Sequence, residues 1–417
     1  MRLFVTYLKI NAIILSAGLS FLLLCNLIID PEGRFSLVDI LGVNHEKTEV
    51  MAIGGRTVKA RTLEQGTYDT IFLGTSRVNF GLNPRSLPLG TRRAYNAALP
   101  GTSLPELAQI FAFARTTNRI KTVVLGLDFT LFSDKRAIGS DFMDSPFAGT
   151  NSWLSDLKYL ASFQTFLSSV TTARDNRKGR KATDTESGLA DHPPRSESGQ
   201  IDHRALFIRV LTRHYMVKEE TYGGFSYSLD RLDLLHSIVE QCRADGIELY
   251  LFIPPVHARD LEALRTLGLY PLFEQWQRDL VAILAADAAA HPEEKRIPLW
   301  DFTGYTSITT EDVPSAGEKG KQMQWYWESS HFKKELGDLV LDRLFDYREP
   351  GHIVPEDFGI QITTANIEAH LAWIREQRTR YHQIHPQEVT EVEYLAKITE
   401  RFRAHPSDVD GRARKER

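Results

Sequence analysis

The chain has 417 residues, 42% of them hydrophobic and 25% charged, with a formal net charge of -4 at pH 7. That is enough apolar material to bury one large core with appendages, and the charge balance gives no footing for a nucleic-acid partner. Two cysteines, Cys25 and Cys242, lack metal-ligand spacing, and there is no HExxH or CxxC pair, so no metal and no cofactor is expected.

The first element is an apolar run from Ile10 to Ile29, interrupted only by Asn11, Ser16, Ser20 and Asn26. About 20 helical residues match a ~30 Å hydrocarbon core. Arg2 and Lys9 precede the run while Asp30 and Glu32 follow it, so the positive-inside rule places the N-terminus in the cytoplasm and the rest outside. Residues 1–33 are therefore expected to be an uncleaved, single-pass anchor in the inner (cytoplasmic) membrane. The alternative, a cleaved signal peptide, is disfavoured by the length of the run and the absence of a small-x-small site. Cys25 lies inside the run, which argues against a disulfide with Cys242.

Residues 34–66 read as a spacer, with a short strand at Val50 to Ile53 before Gly54-Gly55. Tyr68 to Leu73 is a short buried strand that ends in Gly74-Thr75-Ser76-Arg77, so a tight turn presents Ser76 at the strand's carboxyl end. Asn79, Gly81, Asn83 and Pro84 predict an irregular loop after it. Arg93 to Asn96 reads as a second strand, Leu104 to Thr116 as a helix with Ser103 as N-cap, and Thr122 to Asp128 as a central strand.

Asn151 to Val170 has helical spacing, whereas Arg174 to Gln200 is dense in charge, Gly, Ser and Pro and reads as a mobile insertion. A helix at Leu229 to Ala244, a strand at Ile247 to Ile253, a helix at Tyr270 to Ala289 and a strand at Ile297 to Phe302 follow. Leu336 to Phe345 is a further helix, and beyond Pro350 helices are expected near Thr364 to Arg378 and Gln387 to Arg403. Five strands alternating with helices predict a doubly wound α/β parallel sheet over 67–348, with a helical C-terminal extension over 349–417.

Chemistry concentrates at two places. Ser76 stands where open α/β sheets bind ligands, and Glu328-Ser329-Ser330-His331 supplies a carboxylate and an imidazole three residues apart. A serine hydroxyl needs a base, and the base needs an orienting acid, so Ser76, His331 and Glu328 form a candidate triad, with Asp301 at the end of the fifth strand as a rival acid. Arg77 could bind a carboxylate or ion-pair with Asp128 or Asp301. His257 follows the fourth strand and could line the same sheet edge. Trp325, Tyr326 and Trp327 could stack on a sugar ring or pack a core.

Taken in order, Gly74-Thr75-Ser76-Arg77, Tyr95-Asn96-Ala97-Ala98-Leu99-Pro100-Gly101, Trp300-Asp301-Phe302 and the Glu328/His331 pair resemble the SGNH (GDSL-like) hydrolase and acyltransferase superfamily. They look most like its membrane-anchored branch, which includes alginate O-acetyltransferase proteins and the D-alanyl-transfer proteins of teichoic acid synthesis. The resemblance spans Tyr68 to Phe345. It implies a flavodoxin-like, SGNH-type sheet and a serine esterase or O-acyltransferase acting on a cell-envelope or exported polysaccharide. It also leaves room for a membrane acyl-donor protein as partner, beside the bilayer and the polysaccharide. By resemblance the oxyanion donors are the backbone N–H groups of Ser76 and Gly101. The family's third donor, an asparagine, is replaced by Asp128 in Gly126-Leu127-Asp128-Phe129, which leaves Asn96 as a substitute. The family also has Asp where Glu328 stands. These two departures keep open a catalytically inactive domain that binds polysaccharide or scaffolds its synthesis machinery.

Overall fold

The computed structural model describes residues 2–48, 55–149, 152–182, 187–190, 201–318, 320–349 and 353–404. In chain order the main elements are α1 (Arg2–Ile29), α2 (Gly55–Gln65), β1 (Thr70–Leu73), α3 (Ser76–Gly81), β2 (Ala94–Asn96), α4 (Leu104–Thr117), β3 (Thr122–Gly126), α5 (Ser152–Ala161), α6 (Phe163–Arg177), α7 (His203–Arg209), α8 (Leu229–Ala244), β4 (Glu248–Ile253), α9 (Ala258–Thr266), α10 (Tyr270–Ala290), β5 (Leu299–Asp301), α11 (Lys334–Leu344), β6 (Ile360–Gln361), α12 (Ile367–Ile384) and α13 (Pro386–Ala404). They fall into two compact units.

The first unit takes in Met1–Thr67, Thr116–Asn118 and Gly139–Glu186. Its α1 is long and apolar enough to cross a membrane, with only 6% of its most apolar window buried. The expected spacer contains α2, and the expected helix at Asn151 to Val170 is broken at Ser162, whose hydroxyl caps α6 by accepting from the Thr165 N–H at 3.2 Å. The strand expected at Val50 to Ile53 lies outside the described residues.

The second unit holds a six-stranded sheet in the order β2-β1-β3-β4-β5-β6. Strands β1 to β5 are parallel and β6 runs antiparallel to β5 at the edge. All residues of β1 and β3 are buried, as their uninterrupted apolar runs require of strands covered on both faces. The five expected strands are present. The sixth is two residues long, too short to carry a periodic signal. Of the expected insertion, residues 183–186 and 191–200 lie outside the described residues. Arg174 to Arg177 close α6, and Ser187 to Ala190 are tied to the sheet unit by Asn96 N–H to Ser187 C=O (2.9 Å) and Ala190 N–H to Asn79 C=O (3.0 Å).

The loop expected after Ser76 is instead α3, and two glycines explain it. A Cβ at Gly81 would collide with the Phe332 ring, and one at Gly337 would collide with the Gly81 carbonyl. Gly81 therefore sits in the helix for close approach, and it lets α3 and α11 meet almost backbone to backbone. Phe72, Phe252, Phe302, Tyr326 and Phe332 fill the core beneath them, all fully buried, at roughly 1.5–3 kcal/mol per large apolar side chain. The C-terminal helices pack on the same unit: Arg259, fully enclosed, pairs with Glu388 (2.7 Å) and Glu391 of α13, and Arg265 reaches Glu393 at 2.7 Å.

Candidate active site

Parallel strands bring their carboxyl ends to one edge of the sheet. There β1 leads through Gly74 into Thr75, which N-caps α3, so that Ser76 is the helix's first residue. The segment after β2 is pinned alongside by Leu99 N–H to Gly74 C=O at 3.2 Å, which holds the Ala97–Gly101 turn near the serine's strand. His331 arrives from far along the chain on a tight hairpin: Trp327 N–H donates to the His331 carbonyl (2.9 Å), Lys333 N–H to the Trp325 carbonyl (2.8 Å), and Tyr326 bridges Phe332. Phe332 and α11 anchor that hairpin against α3.

The result is a chain of three groups. His331 Nε2 lies 2.7 Å from Ser76 Oγ, and His331 Nδ1 is hydrogen-bonded to Glu328 Oε1. With a carboxylate at Nδ1, that nitrogen carries the proton and Nε2 is left to accept from the serine hydroxyl. The extra methylene of Glu328 is absorbed because its carboxylate curls back over its own loop. It accepts from the Ser330 N–H (2.8 Å) and the His331 N–H (3.0 Å), as well as from the imidazole. Burial pushes against ionisation of Glu328, but the His331 charge, its hydrogen bond and those from the two backbone N–H groups hold the carboxyl below its ordinary value. The Phe80 ring meets the His331 ring edge-on at 5.0 Å, and the imidazole remains partly open, its side chain 23% exposed.

Arg77 spends its donors inside the protein. It is buried beneath the site and bonded to Asp128, to Asp260 (3.2 Å), to Tyr215 Oη (3.3 Å) and through Nε to Ser330 Oγ (3.0 Å). Burial disfavours its charge, and Tyr215, Asp128 and Asp260 more than restore it, raising its pKa well above the ordinary value. Because Arg77 follows Ser76 and Ser330 precedes His331, this contact clasps the Ser76 turn to the His331 loop. Asp128 is thereby absorbed by Arg77 and by the Thr75 hydroxyl at 2.5 Å.

The other expected site residues are placed as follows. Both amide protons of Asn96 go to the Val78 and Leu82 carbonyls at 2.9 Å each, so it closes the C-terminal end of α3 and does not aim at an oxyanion. Gly101 is exposed in a left-handed turn (φ +70°) with open space where a Cβ would stand. Asp301 accepts from Gln277 (2.7 Å) and from Thr303, and pairs with His370 at 2.8 Å, so its partner is not His331. His257 is buried as the N-cap of α9. Its Nδ1 accepts from Arg259 N–H and its Nε2 donates to the Glu311 carbonyl at 2.7 Å, while burial pushes its pKa down to about 3. Tyr326 is core, and the Trp327 ring is covered by Lys333, 4.6 Å from its centroid.

Sequence reasoning missed Tyr215, Asp260 and Ser330, which hold Arg77, and Tyr222, which holds Asp260. Tyr215 lies in a π-helical turn (Val210–Met216) that continues α7, and Tyr222 Oη donates to Asp260 at 2.8 Å. Only Ser330, adjacent to His331, carried a local signal. Among the described residues no group of acidic, His and Cys side chains could hold a metal ion. Compared with known proteins, the chain matches no family model and no curated protein.

Proposed function

We propose that the sheet unit is a serine-dependent, SGNH-type esterase or O-acyltransferase of flavodoxin-like, doubly wound architecture. In this reading α1 anchors it in the cytoplasmic membrane with the N-terminus inside, and it acts on an O-acylated envelope or exported polysaccharide. The observation that carries the reading is the Ser76–His331–Glu328 chain, with 2.7 Å between base and nucleophile. It is supported by the strand order 2-1-3-4-5, which reverses between β1 and β3, the strands that lead to Ser76 and Asp128.

Ser76 Oγ attacks the ester carbonyl as His331 Nε2 takes its proton. The tetrahedral adduct collapses with that proton passing to the departing alcohol, which leaves an acyl-serine. His331 then deprotonates a sugar hydroxyl or a water, which attacks the acyl-serine and restores Ser76. The oxyanion would be met by the Ser76 N–H, first in its helix and so without an intrahelical partner, together with the Gly101 N–H.

A non-catalytic reading draws on one observation: Asp128 and Asn96 are both committed elsewhere, so neither supplies a side-chain oxyanion donor. Purified full-length protein assayed with a chromogenic acetyl ester and with O-acetylated polysaccharide separates the two. The catalytic reading expects turnover lost in Ser76→Ala. Polysaccharide binding without turnover, unchanged in Ser76→Ala, would establish the scaffold instead.

A further inference from the structure

Within the first unit, α5 and α6 invert the usual pattern of a water-soluble helix. In α6 the hydroxyl residues Thr165, Ser168, Ser169 and Thr172 are buried, at 0–3% exposure, while Phe163, Leu167 and Val170 point outward at 64%, 46% and 52%. In α5 the outward residues include Trp153, Leu154 and Leu157 at 61%, 45% and 52%. Spacings of i, i+4 and i+7 put the outward residues of α6 on one helix face, and in α5 Leu157 lies four and three residues after Trp153 and Leu154, on the same side of that helix. Small and hydroxylated residues inside with large apolar residues outside is the arrangement of helices packed in lipid.

What α5 and α6 pack against is α1. Asn26 is fully buried; its amide donates to the Leu160 carbonyl (2.8 Å) and the Ser162 carbonyl (3.0 Å), and its oxygen accepts from Ser169 Oγ (3.1 Å). One polar interruption of the apolar run thus closes the C-terminal carbonyls of α5, as groups removed from water must be closed. The Phe166 ring lies 6.2 Å from the Phe21 ring. Phe21 is eight residues before the end of α1, so this ring contact lies about 12 Å down the apolar helix from its outer end, while the Ser162 turn of the hairpin meets Asn26 about 5 Å from that end.

We propose that the α5–α6 hairpin is a second membrane element, a wedge seated in the outer-leaflet interface beside α1, with lipid as the occupant of its outward apolar face. The inference rests on α1 being a bilayer anchor, and it follows from the continuity of the two exposed apolar surfaces within one unit. The depth matches that of interfacial helices, roughly 5–10 Å. Lys158, 67% exposed and 2.8 Å from Asp144, stands in the last turn of α5, where its stem can cross apolar surface while the ammonium reaches the headgroups.

The test uses wild-type full-length protein in phosphatidylethanolamine–phosphatidylglycerol vesicles, with a bilayer-confined aryl diazirine and a water-soluble diazirine as parallel photolabels, mapped by peptide mass spectrometry. The expected result is bilayer labelling of the Tyr159–Arg174 peptide comparable to that of α1 and at least about tenfold above that of α8. Labelling of this peptide only by the aqueous probe, with α1 labelled from the bilayer, would overturn the wedge and leave the anchor intact. Labelling by neither probe, again with α1 labelled, would overturn it in favour of a protein surface such as a second copy. Absence of bilayer labelling from α1 itself would overturn anchor and wedge together.

Discussion

Glu328–His331 and Asp301–His370 are both buried-acid–imidazole pairs built on the sheet unit, and they differ in what the imidazole's surroundings leave free. His370 is enclosed, its side chain 4% exposed, and it bonds through Nε2 to an aspartate that Gln277 and Thr303 already saturate. It fastens α12 to the end of β5, and among the described residues no serine or cysteine is hydrogen-bonded to its ring. His331 presents one nitrogen to Glu328 and the other to Ser76, with a partly open face. The same two functional groups thus make a clasp in one place and, in the proposed catalytic reading, a proton relay in the other. The deciding feature is a hydroxyl at 2.7 Å from the second nitrogen.

The comparison breaks most sharply at the relay. His331→Ala should reduce ester turnover by on the order of 10⁴- to 10⁶-fold, as removal of the base does in other serine triads, with the thermal melt preserved. His370→Ala should do the reverse, lowering Tm and leaving turnover of the folded protein nearly intact. Steady-state kinetics with parallel melts on both variants reads the contrast.

The two acids sharpen it. Glu328→Gln keeps the loop's shape but favours the wrong imidazole tautomer, with an expected loss of up to ~10⁴-fold in kcat. Asp301→Asn leaves the buried donors of Gln277, Thr303 and His370 without their shared acceptor and should cost about 1–3 kcal/mol of stability while kcat of the folded fraction holds. Equal losses of activity in both would mean that Asp301 reaches the imidazole through a rearrangement the structure does not contain.

A smaller effect is expected at Arg77. Arg77→Lys retains the charge against Asp128 and Asp260 but loses the planar fork that holds Ser330, so the base loop drifts relative to Ser76. The expected signature is a fall in kcat of up to about 10²-fold with KM nearly unchanged. A rise in KM at constant kcat would instead make Arg77 a substrate ligand.

The smallest effect is a pH dependence of stability. Glu328's carboxyl is held below its ordinary value, so its contribution is present above the unfolded-state pKa, near the ordinary glutamate value of about 4.3, and is lost as pH falls through the lower folded value. The Tm gap between wild type and Glu328→Gln should therefore be widest near neutrality and close on acidification below about pH 4.3. A gap that widens with acid would reverse the sign and remove the view that Glu328 is held as a carboxylate by the hydrogen bonds of this loop.

The candidate site was legible in the sequence to the extent that its chemistry is local. Ser76 closes an apolar run through a glycine, and Glu328 and His331 are three residues apart, so both halves carried signals of their own. What holds them together was not legible, because Arg77 meets Ser330, Asp260 and Tyr215 across sequence separations of 253, 183 and 138 residues. Asn79 and Gly81 read as helix breakers, yet Gly81 serves a close crossing that depends on Phe332 and Gly337 far away. Asn96 and His257 illustrate the same limit: each stands at the functional edge of the sheet, and each spends its hydrogen bonds on helix termini or a loop carbonyl. The parallel strands, whose burial is written in continuous apolar residues, were found in full, whereas the two-residue β6 and the helix α9 had no pattern long enough to read.

If His331 activates Ser76, the rate of covalent capture reports it without any assumption about the substrate. Full-length protein treated with a fluorophosphonate and followed by intact mass should gain one adduct at Ser76 in wild type and Asp301→Asn alike. Capture should be strongly slowed in Glu328→Gln, and absent in Ser76→Ala and His331→Ala. Wild-type protein that takes up no fluorophosphonate, or an adduct that forms as fast in His331→Ala as in wild type, would contradict the account.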